Sequence, residues 1–165
     1  MAFILAADGR DADIAGVVGM FGRYRDYLQN AASRFPPSAF GLATSDWYFN
    51  FSNHRCPHDA WLEVAELCEH SFGSRHQIRG VHLKVRLLGA YHDGFIELRY
   101  PRVISYAFRG GSVDRGHNDW RYDELRLSDA DNLIHEIEWA DGAHWLIEAS
   151  DVEFNWLPLG VRQSS

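Results

Sequence analysis

The sequence has little cysteine and no long apolar run. Cys56 and Cys68 are its only two cysteines in 165 residues, so the chain lacks the disulfide framework of small secreted domains. The segment that begins MAFILAADGRDADIAG has no basic start, and charged residues interrupt its apolar stretch. It predicts neither a signal peptide nor a membrane span, and we therefore expect a cytoplasmic protein.

Positive charge is also scarce. Lysine and arginine together number 16 against 23 acidic residues, which gives a formal net charge of -7. Proteins that bind DNA or RNA normally present a basic surface that displaces counterions from phosphates. The composition therefore argues against a nucleic-acid partner and favours a basic protein partner. Most of the acid lies from Asp114 to Glu153, with twelve acidic residues against three arginines.

Motifs for catalysis and for metal binding are missing. There is no G-x-S-x-G or other nucleophile elbow, and no spacing fixes a pair of catalytic carboxylates, so we assign no catalytic residue. The densest group of potential metal ligands is His54, Cys56 and His58, with Asp59 next to it. An H-x-C-x-H spacing matches no established zinc pattern, so we interpret the segment as a turn and predict no metal or cofactor.

What the sequence does have is aromatic and apolar residues. Six tryptophans, seven tyrosines and ten phenylalanines, within a 46% hydrophobic composition, indicate a β-rich core with aromatic side chains to spare for a pocket or an interface. A length of 165 residues is typical of one domain.

The N-terminal part predicts one amphipathic helix. Apolar residues recur every three or four positions from Ile14 onward, with residues 23–34 the most regular part and residues 1–22 interrupted by glycines. Pro36-Pro37 should end the helix, and residues 37–45 should form a linker. Alternation of Trp47, Phe49 and Phe51 then predicts a first strand. Residues 61–70 fit a helix slightly better than a strand, and both alternatives stay open.

The most informative stretch is Val81 to Tyr100, which predicts a β-hairpin. Alternating apolar residues give each arm one buried face, and Asp93-Gly94 suits a two-residue turn. This turn predicts that Leu87 faces Tyr100.

Further strands are predicted C-terminal to the hairpin. Pro101 should break the first pairing ladder, a strand should follow at residues 103–108, and a bulge is expected near Asp123. A glycine bulge at Gly142 then sets Ile137 opposite Trp145 and His135 opposite Ile147. Val152, Phe154 and Trp156 form the last strand, and residues 162–165 form a loose tail. These elements predict a single α+β domain over residues 1–165, with an N-terminal helix packed on a bent antiparallel meander, or half-barrel, of about seven strands.

The predicted strand registers place four glutamates on one outer face of the sheet. We expect this face, together with a polar loop at residues 112–119, to bind the basic partner. The predicted partner-binding residues are Glu136, Glu138, Glu148, Glu153, Asp114, His117 and Asp119. In size, acidity and aromatic richness the chain resembles small bacterial proteins of mixed helix and antiparallel sheet that act as toxin-neutralising immunity proteins or similar inhibitors.

An alternative function comes from another class. The protein could be a small-molecule-binding protein or an enzyme, with a pocket between helix and sheet that is lined by tryptophan and tyrosine. His117 and its acidic neighbours would then lie at the mouth of that pocket.

Overall fold

The computed structural model describes residues 2–5, 14–110 and 114–160. Within these ranges the chain forms two helices and eight strands. The helices are α1 (Ile14–Ala31) and α2 (Pro37–Ala43), and the strands are β1 (Trp61–Phe72), β2 (Ile78–Leu88), β3 (Gly94–Arg109), β4 (Asp114–His117), β5 (Trp120–Leu127), β6 (Leu133–Trp139), β7 (His144–Ala149) and β8 (Glu153–Pro158). The predicted α+β fold, with an N-terminal helix and an antiparallel meander, is confirmed. No helix in these ranges combines the length and the apolarity needed to cross a membrane.

Seven strands form one antiparallel sheet, which does not close into a barrel. Its order is β1-β2-β3-β7-β6-β5, with β8 also paired to β3. Strand β3 is 16 residues long and joins the two halves of the sheet. Its first half lies between β2 and β8, and its second half pairs with β7. Val103 marks the change, because it faces Val81 on one side and Ala149 on the other.

The predicted turn of the central hairpin is wrong, although its buried face is correct. Leu87 pairs with Ile96 and not with Tyr100. The loop is four residues long, with Gly89 N donating to the carbonyl of Gly94 at 2.9 Å, and His92 adopts the positive φ of 56°. The observed register differs from the predicted one by an even number of residues, so the same side chains still face the core.

The structure decides one alternative that the sequence left open, contradicts two predictions of secondary structure and confirms another only in part. Residues 61–72 form a strand because pairing with β2 outweighs a weak helical period. Residues 37–43 form a helix instead of a linker, with a proline at its first position, where no backbone N–H is needed. Residues 47–51 form turns and not a strand.

Pro101 interrupts the pairing of β3 with β2, whose register shifts between Tyr100 and Val103, but β3 itself continues through the proline. The pairing of β3 with β7 shifts between Val103 and Ser105.

Other predictions are confirmed. Ile137 pairs with Trp145 and His135 with Ile147, and Gly142 has a φ of 85°. A register shift lies between Trp120 and Tyr122, close to the predicted bulge. Residues 23–31 are helical, but the helix extends back to residue 14, where the glycines predict an irregular segment, and it ends at Ala31 and not at Pro36-Pro37. Residues 6–13 and the tail at 162–165 lie outside the described residues.

Helix α1 covers the free edge of the sheet at β5. The hydroxyl of Tyr24 donates to the carbonyl of Leu125 at 2.7 Å and accepts from its N–H at 3.0 Å. The hydroxyl of Tyr27 accepts from the N–H of Leu127 at 2.7 Å. Two tyrosines thus satisfy backbone groups that an edge strand would otherwise offer to another chain.

The N-terminal segment is fixed to the same strand. Glu124 is fully buried on β5, and its Oε2 accepts from the backbone N–H groups of Phe3, Ile4 and Leu5 at 2.9, 2.7 and 3.2 Å. Arg126 binds the other oxygen at 3.0 Å. The buried carboxylate therefore has partners on both oxygens, as a buried charge requires.

Candidate functional site

The outer half of the β1–β2 hairpin projects from the sheet. We call residues 63–80 the arm. Every residue from 63 to 79 is exposed except Cys68, so both faces of the ribbon contact solvent.

Within the described sheet β1 pairs with β2, and at its start Trp61 forms a bridge with Asp119 and β4 lies against the strand. Beyond the pair of Glu69 with Val81, β2 no longer pairs with β3, so the tip is a two-stranded ribbon. Such a ribbon, without a third strand or a packing layer, is at best marginally stable in water.

The core ends part of the way along the arm. Leu67 on β1 pairs with Leu83 on β2, yet Leu83 is 1% exposed and Leu67 is 39% exposed. Nearer the tip, Phe72 pairs with Ile78, and these side chains are 50% and 48% exposed. Large apolar side chains that share an exposed surface are typical of protein interaction sites.

The second half of β3 adds to this exposed apolar surface. Beyond Val103, β3 pairs with β7 but no longer with β2. Its side chains Ile104, Tyr106 and Phe108 are 47%, 49% and 37% exposed. The fork between the arm and β3 therefore leaves one edge of β3 unpaired within the described sheet.

Local sequence explains the shape of the arm. A register shift at its base makes Glu63 an extra residue on β1. At the tip, Gly73 and His76 adopt positive φ angles of 89° and 53°, and His76 N donates to the carbonyl of Gly73 at 3.1 Å. Glu69 and Arg79 form an ion pair across the two strands. The hairpin is therefore closed by its own turn and not by packing against the core.

Strand β1 is acidic. Its sequence, WLEVAELCEHSF, contains Glu63, Glu66 and Glu69 and no lysine or arginine. Lys84 lies opposite Glu66 in the register, but its ammonium binds Glu97 at 2.8 Å. The outer edge of the sheet therefore combines exposed carboxylates with exposed apolar side chains.

The glutamates of the predicted acidic face have partners of their own. Burial alone would raise the pKa of Glu136, but a hydrogen bond with His144 at 2.7 Å and the contact with Arg126 hold it below its usual value. The amide of Asn132 donates to Glu148 at 2.9 Å and lowers the pKa of that carboxyl.

The remaining two glutamates lie on different strands. Glu138 lies between Tyr122 and His144 in the strand register, whereas Glu153 is opposite Arg99. Positive groups are thus interspersed among the four carboxylates, which weakens the negative potential of this face.

The predicted loop residues point in different directions. Asp114 is exposed at the start of β4. His117 packs against the rings of Trp139 and Trp145, with centroids 5.2 and 5.4 Å away. Asp119 accepts a hydrogen bond from the indole N–H of Trp61 at 2.8 Å. Residues 112 and 113 lie outside the described residues.

The structure separates the side chains of His54, Cys56 and His58. His54 bonds to Asp93 at 2.5 Å, and the ring of His58 stacks on that of Phe51. The thiol of Cys56 is buried and donates to a backbone carbonyl at 2.9 Å, and burial raises its pKa to about 12. Among the described residues, no group of three or more histidine, cysteine or acidic side chains is arranged to hold a metal ion.

A buried polar network was missed in the sequence. Asp123 accepts hydrogen bonds from Tyr48 at 2.6 Å and from the indole of Trp120 at 3.0 Å, and it bonds to the His135 ring at 2.9 Å. The other nitrogen of His135 bonds to the Tyr100 hydroxyl at 2.7 Å. All five side chains are at most 4% exposed. Burial raises the pKa of both tyrosines well above the usual value. The network joins the 46–49 turn to three strands, and its burial indicates a structural role.

A groove of about 840 Å³ lies between α1 and the segment at residues 43–50. Its lining includes apolar Val17, Phe21 and Leu28 and polar Arg25 and Asp46. His117 does not line it, so the groove differs from the pocket that the sequence suggested.

Comparison with known proteins adds no relative. No family model, no curated protein and no solved structure matches the chain.

Proposed function

We propose that this chain is a cytoplasmic protein-binding module, of the inhibitor or immunity type, that binds a basic protein through its arm. The observation that supports this best is the exposure of the arm on both faces, with Leu67, Phe72 and Ile78 between 39% and 50% exposed. Complete burial of one such side chain by a partner contributes roughly 1.5–3 kcal/mol to the free energy of binding. A partner that covers the arm would supply the packing layer that the ribbon lacks.

The charges on β1 favour a basic partner over a second copy of this chain. An antiparallel dimer through the edge of β1, centred on Glu66, would place Glu66 opposite its copy and Glu63 opposite Glu69, and like charges that face each other across strands are destabilising. A partner strand that carries lysine or arginine would instead pair with Glu63 and Glu66. The overall charge of -7 also favours a basic partner over a second copy of the chain.

The acidic residues outside the arm have a steering role in this proposal. Glu138, Glu148, Glu153, Asp114 and Asp119 add to the negative potential that attracts the partner, and exposed charges act mainly on the rate of association. Glu136 and His117 contribute less, because one is offset by Arg126 and the other packs on tryptophan.

Crosslinking through the arm tests the proposal. A photoreactive amino acid replaces Phe72 in one variant and the exposed Asn30 of α1 in a matched control, both expressed in the native cells. We expect a basic protein to be captured at position 72 and not at position 30. With that protein purified, the double variant Phe72→Ser, Ile78→Ser should bind it at least tenfold more weakly, and binding by the parent chain should weaken as salt rises. Equal capture at both positions, or unchanged affinity of the double variant, would rule out the arm as the interface.

The groove beside α1 supports a second function, the binding of a small molecule. Its volume and its mixture of apolar and charged lining residues fit an organic ligand. A thermal-shift screen of metabolites tests it. A stabilising compound whose effect is lost in an Arg25→Ala variant would favour this function over protein binding.

A further inference from the structure

Two histidines of the hairpin meet on its outer surface. The rings of His70 on β1 and His82 on β2 stack with centroids 4.2 Å apart and an interplanar angle of 10°. Their Nε2 atoms are 3.3 Å apart. His82 pairs with Cys68, two residues before His70, so the two imidazoles are diagonal neighbours on one face.

We propose that His70 and His82 form a two-imidazole site for Zn²⁺. Imidazole nitrogen is a good ligand for zinc, with bonds of about 2.0–2.1 Å. Two such bonds in a tetrahedral complex place the nitrogens roughly 3.3–3.4 Å apart, which is the separation of the two Nε2 atoms. In the stack the two ring planes are nearly parallel, so both rings turn about χ2 to direct their lone pairs at one ion; His70 is exposed and His82 half-buried at the surface of the hairpin. The ion then replaces the hydrogen bond between the rings.

The surroundings leave space for the remaining ligands. A cavity of about 350 Å³ is lined by both histidines together with Phe72, Ile78, Arg79 and Arg102. Water molecules fill the open coordination positions, so zinc at this site is exchangeable and differs from a closed four-ligand structural site. The thiol of Cys68 lies on the same face, but it is directed at Glu66, 3.6 Å away, and we do not count it as a ligand.

This inference does not rest on the proposed protein-binding function, although Phe72 and Ile78 belong to both sites. It depends on the geometry of two imidazoles, whereas the binding proposal depends on the apolar side chains of the arm. Either proposal can fail while the other holds.

Zinc titration of the protein without a polyhistidine tag tests the site. Calorimetry and competition with a chromogenic chelator would be performed on the parent chain and on His70→Ala, His82→Ala and His76→Asn. We expect one Zn²⁺ per chain and at least tenfold weaker binding in either alanine variant. His76→Asn is the matched control, because His76 lies at the tip of the same arm and asparagine tolerates its positive φ. Its affinity should equal that of the parent.

Long-range ¹H–¹⁵N spectra of the histidine rings provide a second readout. Addition of Zn²⁺ should shift the Nε2 signals of His70 and His82 and leave those of the other histidines in place. Absence of stoichiometric binding, an equal loss of affinity in His76→Asn, or shifts confined to other histidines would each overturn the proposal. Circular dichroism of every variant confirms that the fold is retained.

Discussion

The indole ring of Trp156 lies directly against the backbone of Gly94. A Cβ atom built on Gly94 would lie 2.7 Å from Cε2 of that ring and closer still to Cζ2 and Cη2. Gly94 is buried at the start of β3, and Trp156 on β8 lies opposite Ile96, two residues further along. The glycine is therefore required by close packing between two strands and not by the turn that its sequence context suggested.

Replacement of Gly94 by alanine should destabilise the fold by roughly 1–3 kcal/mol, because the added methyl group forces the indole ring to move. Urea denaturation measures the change. Gly41→Ala is the matched control, since a Cβ at Gly41 on α2 meets no atom within 4 Å and the substitution should be neutral or stabilise by up to about 1 kcal/mol. Equal stability of the two variants would show that Trp156 does not pack on Gly94.

The buried network around Asp123 leads to a second prediction. Asp123→Ala removes the shared acceptor of Tyr48, Trp120 and His135 and leaves these buried groups without that partner. Each buried group that loses its hydrogen-bond partner lowers the free energy of unfolding by about 1–3 kcal/mol, so we expect at least 3 kcal/mol of destabilisation or an unfolded chain. Asp129→Ala, at an exposed turn, should change stability by less than about 0.5 kcal/mol. A mild effect at Asp123 would mean that water replaces the carboxylate.

Alternation made the C-terminal part of the sheet predictable. Buried and outward side chains alternate strictly along β6 and β7, and Gly142 marks the turn between them. One register satisfies both the alternation and the position of the turn. The central hairpin has the same alternation but two possible turn positions. A shift of register by an even number of residues keeps Leu87 on the core side, and alternation cannot distinguish the two pairings. In the observed pairing Gly94 packs against Trp156, which is far away in the sequence, and local alternation carries no sign of that contact.

The candidate site was harder to foresee. Residues 61–72 carry apolar side chains on both faces of the strand, a pattern that in a short segment fits a helix slightly better than a strand. Phe72 is exposed because the β1–β2 ladder continues past Val81, the last residue of β2 that pairs with β3, and the local sequence does not encode where that pairing stops. The glutamates 136 and 148 were correctly placed on outward positions of their strands. Their partners are Arg126 on β5 and Asn132 in the turn before β6, and only the fold shows that these side chains meet.

Acid should destabilise the fold partly through Glu97. This carboxylate is 5% exposed, and the hydrogen bond from Lys84 at 2.8 Å, assisted by Arg99, holds its pKa below the usual 4.5. A pKa that is lower in the folded than in the unfolded state contributes stability above pH 4.5, and that contribution is lost as the pH falls through the folded value. Glu97→Gln should therefore lower stability at pH 7 and flatten its decline in acid.

Lys84→Gln removes the main cause of the lowered pKa of Glu97 and should also flatten the decline of stability in acid. Glu136 and Glu148 also have lowered pKa values, so some decline will persist in both variants. Urea denaturation at a series of pH values from 3 to 7 measures the slopes. If both variants kept the slope of the parent chain, Glu97 would not be a source of the acid sensitivity.

The arm should open more easily than the sheet from which it projects. Its amides at residues 66–72 and 78–80 belong to a ribbon exposed on both faces, whereas Val85 and Leu87 are fully buried between β1 and β3. Hydrogen exchange monitored by mass spectrometry should show fast exchange in the arm and slow exchange at residues 83–88, because local opening is easiest where few apolar contacts are broken. The double variant Phe72→Ser, Ile78→Ser should keep the slow exchange at residues 83–88. If the arm in the dilute free chain exchanged as slowly as Val85, it would already be covered, contrary to the proposed function. Protection of the arm that rises with chain concentration would identify that cover as a second copy of the chain in place of a basic partner.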